Sequence, residues 1–288
     1  MCKINSLQKF FPFGEVRRGF LSLIIAGAMC APVSVSAQAP NIQWKKNFGC
    51  SYEDNYNSVT VVSDGIVAVG YSDLYTYTYN IGDWKGITGN GGRDAIIVKY
   101  DNAGNVVWKK NFGGSDGDCY KSVTSTSDGI VAVGYSEAYS FNTGDWTGIT
   151  AKGVGDAIIV KYDNAGNILW KKNFGGNSYD YYNSVTAVSD GIVAAGDASA
   201  YSFNTGDWTG ITGKGYDYDA TIVKYDNTGN VVWKKNFGGS GYDEFYSVTA
   251  VSDGIAAVGY SEKNSFNNGD WTGVTGKGYT DAIIVKYK

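Results

Sequence analysis

The chain has 288 residues, is rich in aromatics, holds 40 glycines against three prolines, and contains no histidine. Without histidine there is no Ser-His-Asp or Cys-His catalysis and no His-ligated metal. Its formal net charge of −4 argues against nucleic acid or anionic membrane as a partner.

The first 37 residues read as a secretory signal peptide. Lys3, Lys9, Arg17 and Arg18 precede an apolar run over 20–31, and Val35-Ser36-Ala37 supplies a small-x-small cleavage site. Arg17-Arg18-Gly19-Phe20-Leu21 also resembles the twin-arginine export signal RR-x-F-L, against the reading of an ordinary basic start. Removing 1–37 takes away four of the 24 basic and one of the 28 acidic residues, leaving a net charge of −7. The expected product is secreted, periplasmic or at the cell surface, with no later apolar run long enough to insert in a membrane. Cys50 and Cys119 remain, in non-equivalent positions, and two unpaired thiols are expected.

From 42 onward the chain repeats. Trp44, Trp108, Trp170 and Trp233 mark one position of the period, and Asp64, Asp128, Asp190 and Asp253 another. The repeats run over about 42–105, 106–167, 168–230 and 231–288, within a single domain at 38–288. In the first full unit, SVTVV (58–62) and IVAVGYS (66–72) flank Asp64-Gly65, a tight hairpin in which glycine is expected to supply positive φ. After a connection over 73–93, DAIIVKY (94–100) and NVVWKKNF (105–112) form a second hairpin. These are strands a, b, c and d of one unit. Their near-continuous apolar runs need burial on both faces, which blades stacked around an axis provide. The expected fold is all-β: a β-propeller of four blades, each of four antiparallel strands. The chain opens on a lone strand d (42–48) and finishes on a, b and c, so the N-terminal strand is expected to pair with 282–287 and close the ring, giving a monomer without open edges. The competing reading is an open arc or a fragment of a larger array, two arcs meeting as an eight-bladed dimer included.

The segment DAIIVKYDNAGNVVWKKNFGGS followed by SDGIVAVGYS resembles the bacterial seven-bladed β-propeller repeat family, although here there are four repeats. Trp108 preceded by Asp101, Gly104 and Val107 is similar to the tryptophan-docking motif of pyrroloquinoline-quinone-type propellers, one residue shorter between Asp and Gly. The resemblance implies an exported bacterial protein, in some cases tied to cell-surface binding.

The docking tryptophans Trp44, Trp108, Trp170 and Trp233 are expected to be structural spacers between blades. A second set, Trp84, Trp146, Trp208 and Trp271, each preceded by Gly-Asp (Asp83, Asp145, Asp207, Asp270), lies in the b–c connections. Those connections share a face with the d–a loops, which add Tyr52-Glu53-Asp54, Asp118-Cys119-Tyr120, Tyr179-Asp180-Tyr181 and Tyr242-Asp243-Glu244. Rings beside carboxylates suit sugars, so these eight Asp and Trp residues are the candidate ligand contacts. Four equivalent weak sites would gain avidity on a repetitive target. The competing reading is that each tryptophan pins its loop and each aspartate caps a turn.

The resulting expectation is an exported, non-catalytic binding or adhesion module for a glycan, a surface polymer or another surface protein. One alternative is a carbohydrate-active enzyme using paired aspartates, for which Asp197 stands out where Tyr71, Tyr135 and Tyr260 occupy the other repeats. The other is a passive interaction scaffold. No cofactor or metal is expected; calcium, if bound, would fall to the acidic d–a loops. The Lys45-Lys46 pair and its copies are expected to be solvated edge charges.

Overall fold

The structure is a computed structural model, and it describes residues 40–73 and 81–288. The expected signal at 1–37 lies outside the described residues. Those from 43 to 288 form one unit, built of four antiparallel sheets in chain order. The first comprises β1 (Asp54–Val62), β2 (Gly65–Asp73), β3 (Arg93–Asp101) and β4 (Val106–Phe112). The second comprises β5 (Asp118–Thr126), β6 (Gly129–Glu137), β7 (Gly155–Tyr162) and β8 (Ile168–Phe174). The third comprises β9 (Asp180–Val188), β10 (Gly191–Ser199), β11 (Tyr218–Tyr225) and β12 (Val231–Phe237). The fourth holds β13 (Asp243–Val251), β14 (Gly254–Glu262) and β15 (Thr280–Tyr287).

Each sheet is a meander of neighbours, which is why short Ser-Asp turns from a to b and turns such as Asp-Asn-Ala-Gly from c to d suffice to connect them. The first hairpin turns on Ser63 and Asp64, with Val62 opposite Gly65. The glycine is therefore the first strand residue, and it is needed for space rather than for positive φ. A Cβ on Gly65 would lie 1.9 Å from the Tyr100 carbonyl oxygen of strand c.

Sheets stack face to face through their innermost strands, β1 on β5, β5 on β9 and β9 on β13. The apolar runs meet between them. Val67, Val69 and Ile97 of sheet one pack with Val123, Ile130 and Val160 of sheet two, and the same pattern recurs between sheets two and three and between three and four. This is a four-bladed propeller-type stack. Burial on both faces, inferred from the lack of alternation, holds for the two inner sheets.

Ring closure does not follow. Among the described residues the segment 43–48 forms no sheet pairing, β15 pairs with β14 alone, and β13 does not pack on β1. The segment lies instead on sheet one. Trp44 Nε1 donates to the Asn102 carbonyl at 3.1 Å, its ring stacks on Tyr100 at 6.4 Å, and Phe48 meets Trp84 edge-on at 4.9 Å. The reason is local. Trp108 and Trp170 make the same bond to Asn164 and Asn227 of the following sheet, at 3.1 and 3.2 Å. Trp44 thus follows the docking rule of its repeat and holds the segment to the next sheet, as the spacer reading expects, while the edge of β15 stays open.

Candidate ligand-binding face

The b–c connections each contain a 3-10 turn on Gly-Asp-Trp: Gly82–Trp84, Gly144–Trp146, Gly206–Trp208 and Gly269–Trp271. Trp84, Trp146 and Trp208 have essentially no exposed surface, and Trp271 is partly buried. Each indole N–H donates inward to the aspartate that opens strand a. Trp84 reaches Asp54 at 3.0 Å, Trp146 Asp118 at 3.1 Å, Trp208 Asp180 at 2.6 Å and Trp271 Asp243 at 3.4 Å. Phe112, Phe174 and Phe237 meet the last three rings edge-on at 4.8–4.9 Å. Trp84, Trp146 and Trp208, enclosed in this way, have no face to offer a sugar and pin their loops, as the competing reading expects. Trp271 makes the same indole bond with part of its surface exposed, so the expectation of four equivalent stacking sites is corrected.

The Gly-Asp aspartates are similarly engaged. Asp83, Asp145, Asp207 and Asp270 accept from the backbone N–H of Gly49, Gly113, Gly175 and Gly238 at 3.0–3.1 Å, fastening each b–c loop to the d–a corner. Asn90 adds a bond to Asp145, and Lys152 and Lys214 pair with Asp207 and Asp270. Lysines expected to be solvated edge charges also take part. Lys109, Lys171 and Lys234 on strand d donate to the carbonyls of Asp83, Asp145 and Asp207, where the 3-10 turns leave oxygens unpaired.

A polar concavity lies on the same loop-bearing end but nearer the innermost strands. A cavity of about 260 Å³ is lined by Lys121 and Glu137 of sheet two, Asn183 and Asp197 of sheet three, Glu244 of sheet four, and the rings of Tyr135, Tyr181 and Tyr242. Tyr135 and Tyr181 meet across sheets two and three at 5.1 Å. Tyr242 stacks on Tyr218 at 4.9 Å and on Tyr260 at 5.7 Å. The Lys121 ammonium lies 5.5 Å from the Tyr135 ring centre, within cation–π range. A second cavity of about 310 Å³, which includes Arg93 and Asp73, shares Tyr135 and Glu137 with the first. The Arg93 guanidinium sits over the Tyr71 ring at 4.0 Å and pairs with Asp73 at 2.8 Å. Together they make a groove of rings and charges across the inner ends of the sheets.

Asn183 organises the first cavity. Its Nδ2 donates to Asp197 Oδ1 at 3.1 Å and to Glu244 Oε1 at 3.0 Å, bringing two carboxyl groups to one amide. Burial, with the Glu244 charge as a smaller contribution, pushes the Asp197 carboxyl up to about 8. Burial also raises Glu244 and Glu137. Asp197 can therefore hold a proton at neutral pH.

Of the residues singled out in the sequence, Tyr181, Tyr242, Glu244 and Asp197 come together here, whereas the eight Gly-Asp-Trp residues do not enter the cavity. Lys121, Tyr135, Glu137 and Asn183 were missed. A signal exists for Lys121 and Asn183. Within near-copies, the strand-a positions 55, 119, 181 and 244 carry Asn, Cys, Tyr and Glu, and positions 57, 121, 183 and 246 carry Asn, Lys, Asn and Tyr. Of these, Lys121, Tyr181, Asn183 and Glu244 line the cavity.

The fold and this groove define a propeller-type repeat protein with an asymmetric polar groove on its loop-bearing end. No family model matches the chain. Over 197 residues it is 25% identical to the regulatory protein FlaEY of Caulobacter vibrioides, a match taking in 63% of this chain and 20% of that protein. The chain thus matches about one fifth of that relative's length.

Proposed function

We propose that this protein is an exported, non-catalytic binding module that recognises a glycan or a similar polyhydroxylated surface polymer in the tyrosine-lined cavity. The observation that carries the reading is the convergence of Tyr135, Tyr181 and Tyr242 with Glu137, Glu244, Asn183 and Lys121 around one concavity. Ring faces accept the C–H side of a sugar, while carboxylates, amide and ammonium satisfy its hydroxyls, the mix of apolar and few directed polar groups that small-ligand sites use. Export rests on the basic and apolar leader at 1–37 and on the likeness of the repeats to those of exported bacterial propellers. Because sheet three carries Asp197 where the other repeats carry tyrosine, each chain offers a single site of this kind. A glycan array probed with the parent chain and with Tyr181→Ala/Tyr242→Ala tests the reading. The parent should bind a defined subset and the double variant lose it. An array on which the two chains behave alike removes the cavity from recognition.

A second reading, a carbohydrate-active enzyme, is favoured by one observation, the Asp197 and Glu244 carboxyl groups sharing Asn183. A protonated acid beside a second carboxylate is what glycoside cleavage requires. Turnover by the parent of an array-identified oligosaccharide, abolished in Asp197→Asn, would establish it; binding without turnover leaves the module reading in place.

A further inference from the structure

Every sheet-to-sheet contact in the stack is built alike. Ser58 Oγ accepts from Val123 N at 3.3 Å, Ser122 from Val185 at 3.2 Å, and Ser184 from Val248 at 3.1 Å. Around the serine, Val69 and Ile97 and their counterparts in sheets two and three are buried against the next sheet. The stack leaves two unmatched halves of this same contact. On sheet four, the Ser247 hydroxyl has no such partner among the described residues. Val258 and Ile284, at the positions of Val69 and Ile97, are 40% and 73% exposed. On sheet one, Val59 is 62% exposed where its counterpart Val123 is 6% exposed, and it borders an apolar cavity of about 350 Å³ with Tyr56 and Ile66.

The strands show the same division. Residues 43–48 (QWKKNF) copy the strand-d sequence 107–112 (VWKKNF) and dock through Trp44 as a strand d does, yet they have no sheet partner among the described residues. β15 is a strand c without a strand d. A contact made three times within one chain therefore ends in two faces that fit each other, and among the described residues these faces are not packed together.

We propose that sheet four of this protein packs on sheet one of a second copy, and reciprocally, with residues 43–48 of each copy running along the β15 edge of the other. Two open arcs then close head to tail into one ring of eight sheets. This departs from the monomer expected from the sequence, which rested on self-closure. Head-to-tail contacts either close or run on without limit, and a twofold arrangement of two four-sheet arcs is the closed case.

The test is the mass of the full chain in solution at tens of micromolar by sedimentation, with variants on each face. The parent should have twice the chain mass. Val59→Lys and Ile284→Glu should each sediment as one chain with parental circular dichroism. An equimolar mixture should recover the dimer, because pairing the variants places lysine opposite glutamate in one contact and leaves the other native. A parent that sediments as a single chain, as a self-closed ring would, overturns the proposal. So does an open-ended series of larger species, or a mixture of variants that stays monomeric.

Discussion

The hydroxyls of Tyr120 and Tyr162 meet at 2.6 Å in the buried interior of sheet two. Tyr56 with Tyr100 and Tyr182 with Tyr225 repeat the bond at 2.7 Å. In sheet four, Phe245 takes the place of the strand-a tyrosine, and the buried Tyr287 hydroxyl has no partner among the described residues. An unpaired buried hydroxyl costs about 1–3 kcal/mol, and a satisfied pair contributes about 1 kcal/mol net. Phe245→Tyr should therefore raise stability in urea denaturation by about 1 kcal/mol, and Tyr287→Phe should stabilise as well. Tyr162→Phe, which orphans Tyr120, should destabilise by about 1–3 kcal/mol. If Tyr287→Phe proves as costly as Tyr162→Phe, the hydroxyl has a partner after all.

Trp146 is enclosed between Phe112 and Phe141 and donates to Asp118 and Ser136. Truncation to alanine removes a large ring and a donor to a buried carboxyl, so Trp146→Ala should cost about 3–5 kcal/mol. Trp146→Phe keeps much of the packing and should cost about 1–3 kcal/mol through the lost donor. Affinity for a ligand of the tyrosine cavity should be unchanged in Trp146→Phe by calorimetry, since the ring does not reach that cavity. A large loss of affinity with little loss of stability would return the loop tryptophans to the binding site.

The period, the four strands per repeat and the docking tryptophans were legible because each depends on local chemistry. Asp101 accepts from the backbone of Ala103 and Asn105, which fixes the c–d turn, and Trp44 recognises the turn of the next unit wherever it occurs. Closure was not legible. It depends on the angle between sheets, set by the combined volume of residues such as Val69, Ile97, Val123 and Ile130, and no single repeat encodes that sum. Whether the loop tryptophans pin their loops or meet a ligand was not legible, because their acceptors, Asp54, Asp118, Asp180 and Asp243, lie about thirty residues away across two strands. The cavity was half legible. Tyr181, Tyr242 and Glu244 advertise themselves as rings beside carboxylates, whereas Lys121 and Asn183 matter only once three sheets are stacked.

Gly148 and Gly166 have the same φ of 82° but different surroundings. A Cβ on Gly148 would meet nothing within 4 Å, while one on Gly166 would lie 3.1 Å from the Trp108 ring. Gly148→Ala should carry the left-handed backbone penalty alone, about 1 kcal/mol. Gly166→Ala should carry that penalty plus displacement of the docked ring, with a total of about 2–4 kcal/mol. Urea denaturation of the two variants therefore isolates the docking contribution. Equal losses would mean that the tryptophan yields freely and does not hold the sheets.

Burial pushes Asp118, Asp180 and Asp219 up to about 7 and Asp197 up to about 8, against an ordinary carboxyl value of 3.8. Between pH 4 and 8 the folded chain thus holds protons that the unfolded chain releases, and stability must fall as pH rises through that window. An opposite group sets the acid limit. Lysine partners hold Asp64, Asp128 and Asp190 below the ordinary value, and turn amides do the same for Asp101, Asp163 and Asp226. Their stabilisation is lost as pH drops below about 4. Thermal unfolding at constant ionic strength should therefore show its highest midpoint near pH 4–5, with a steady decline towards pH 8. In Asp197→Asn the decline between pH 6 and 8 should be shallower, because the carboxyl that titrates last is gone. A midpoint that rises from pH 5 to 8 would mean that these aspartates are ionised in the fold, with their serine, tryptophan and backbone donors outweighing burial.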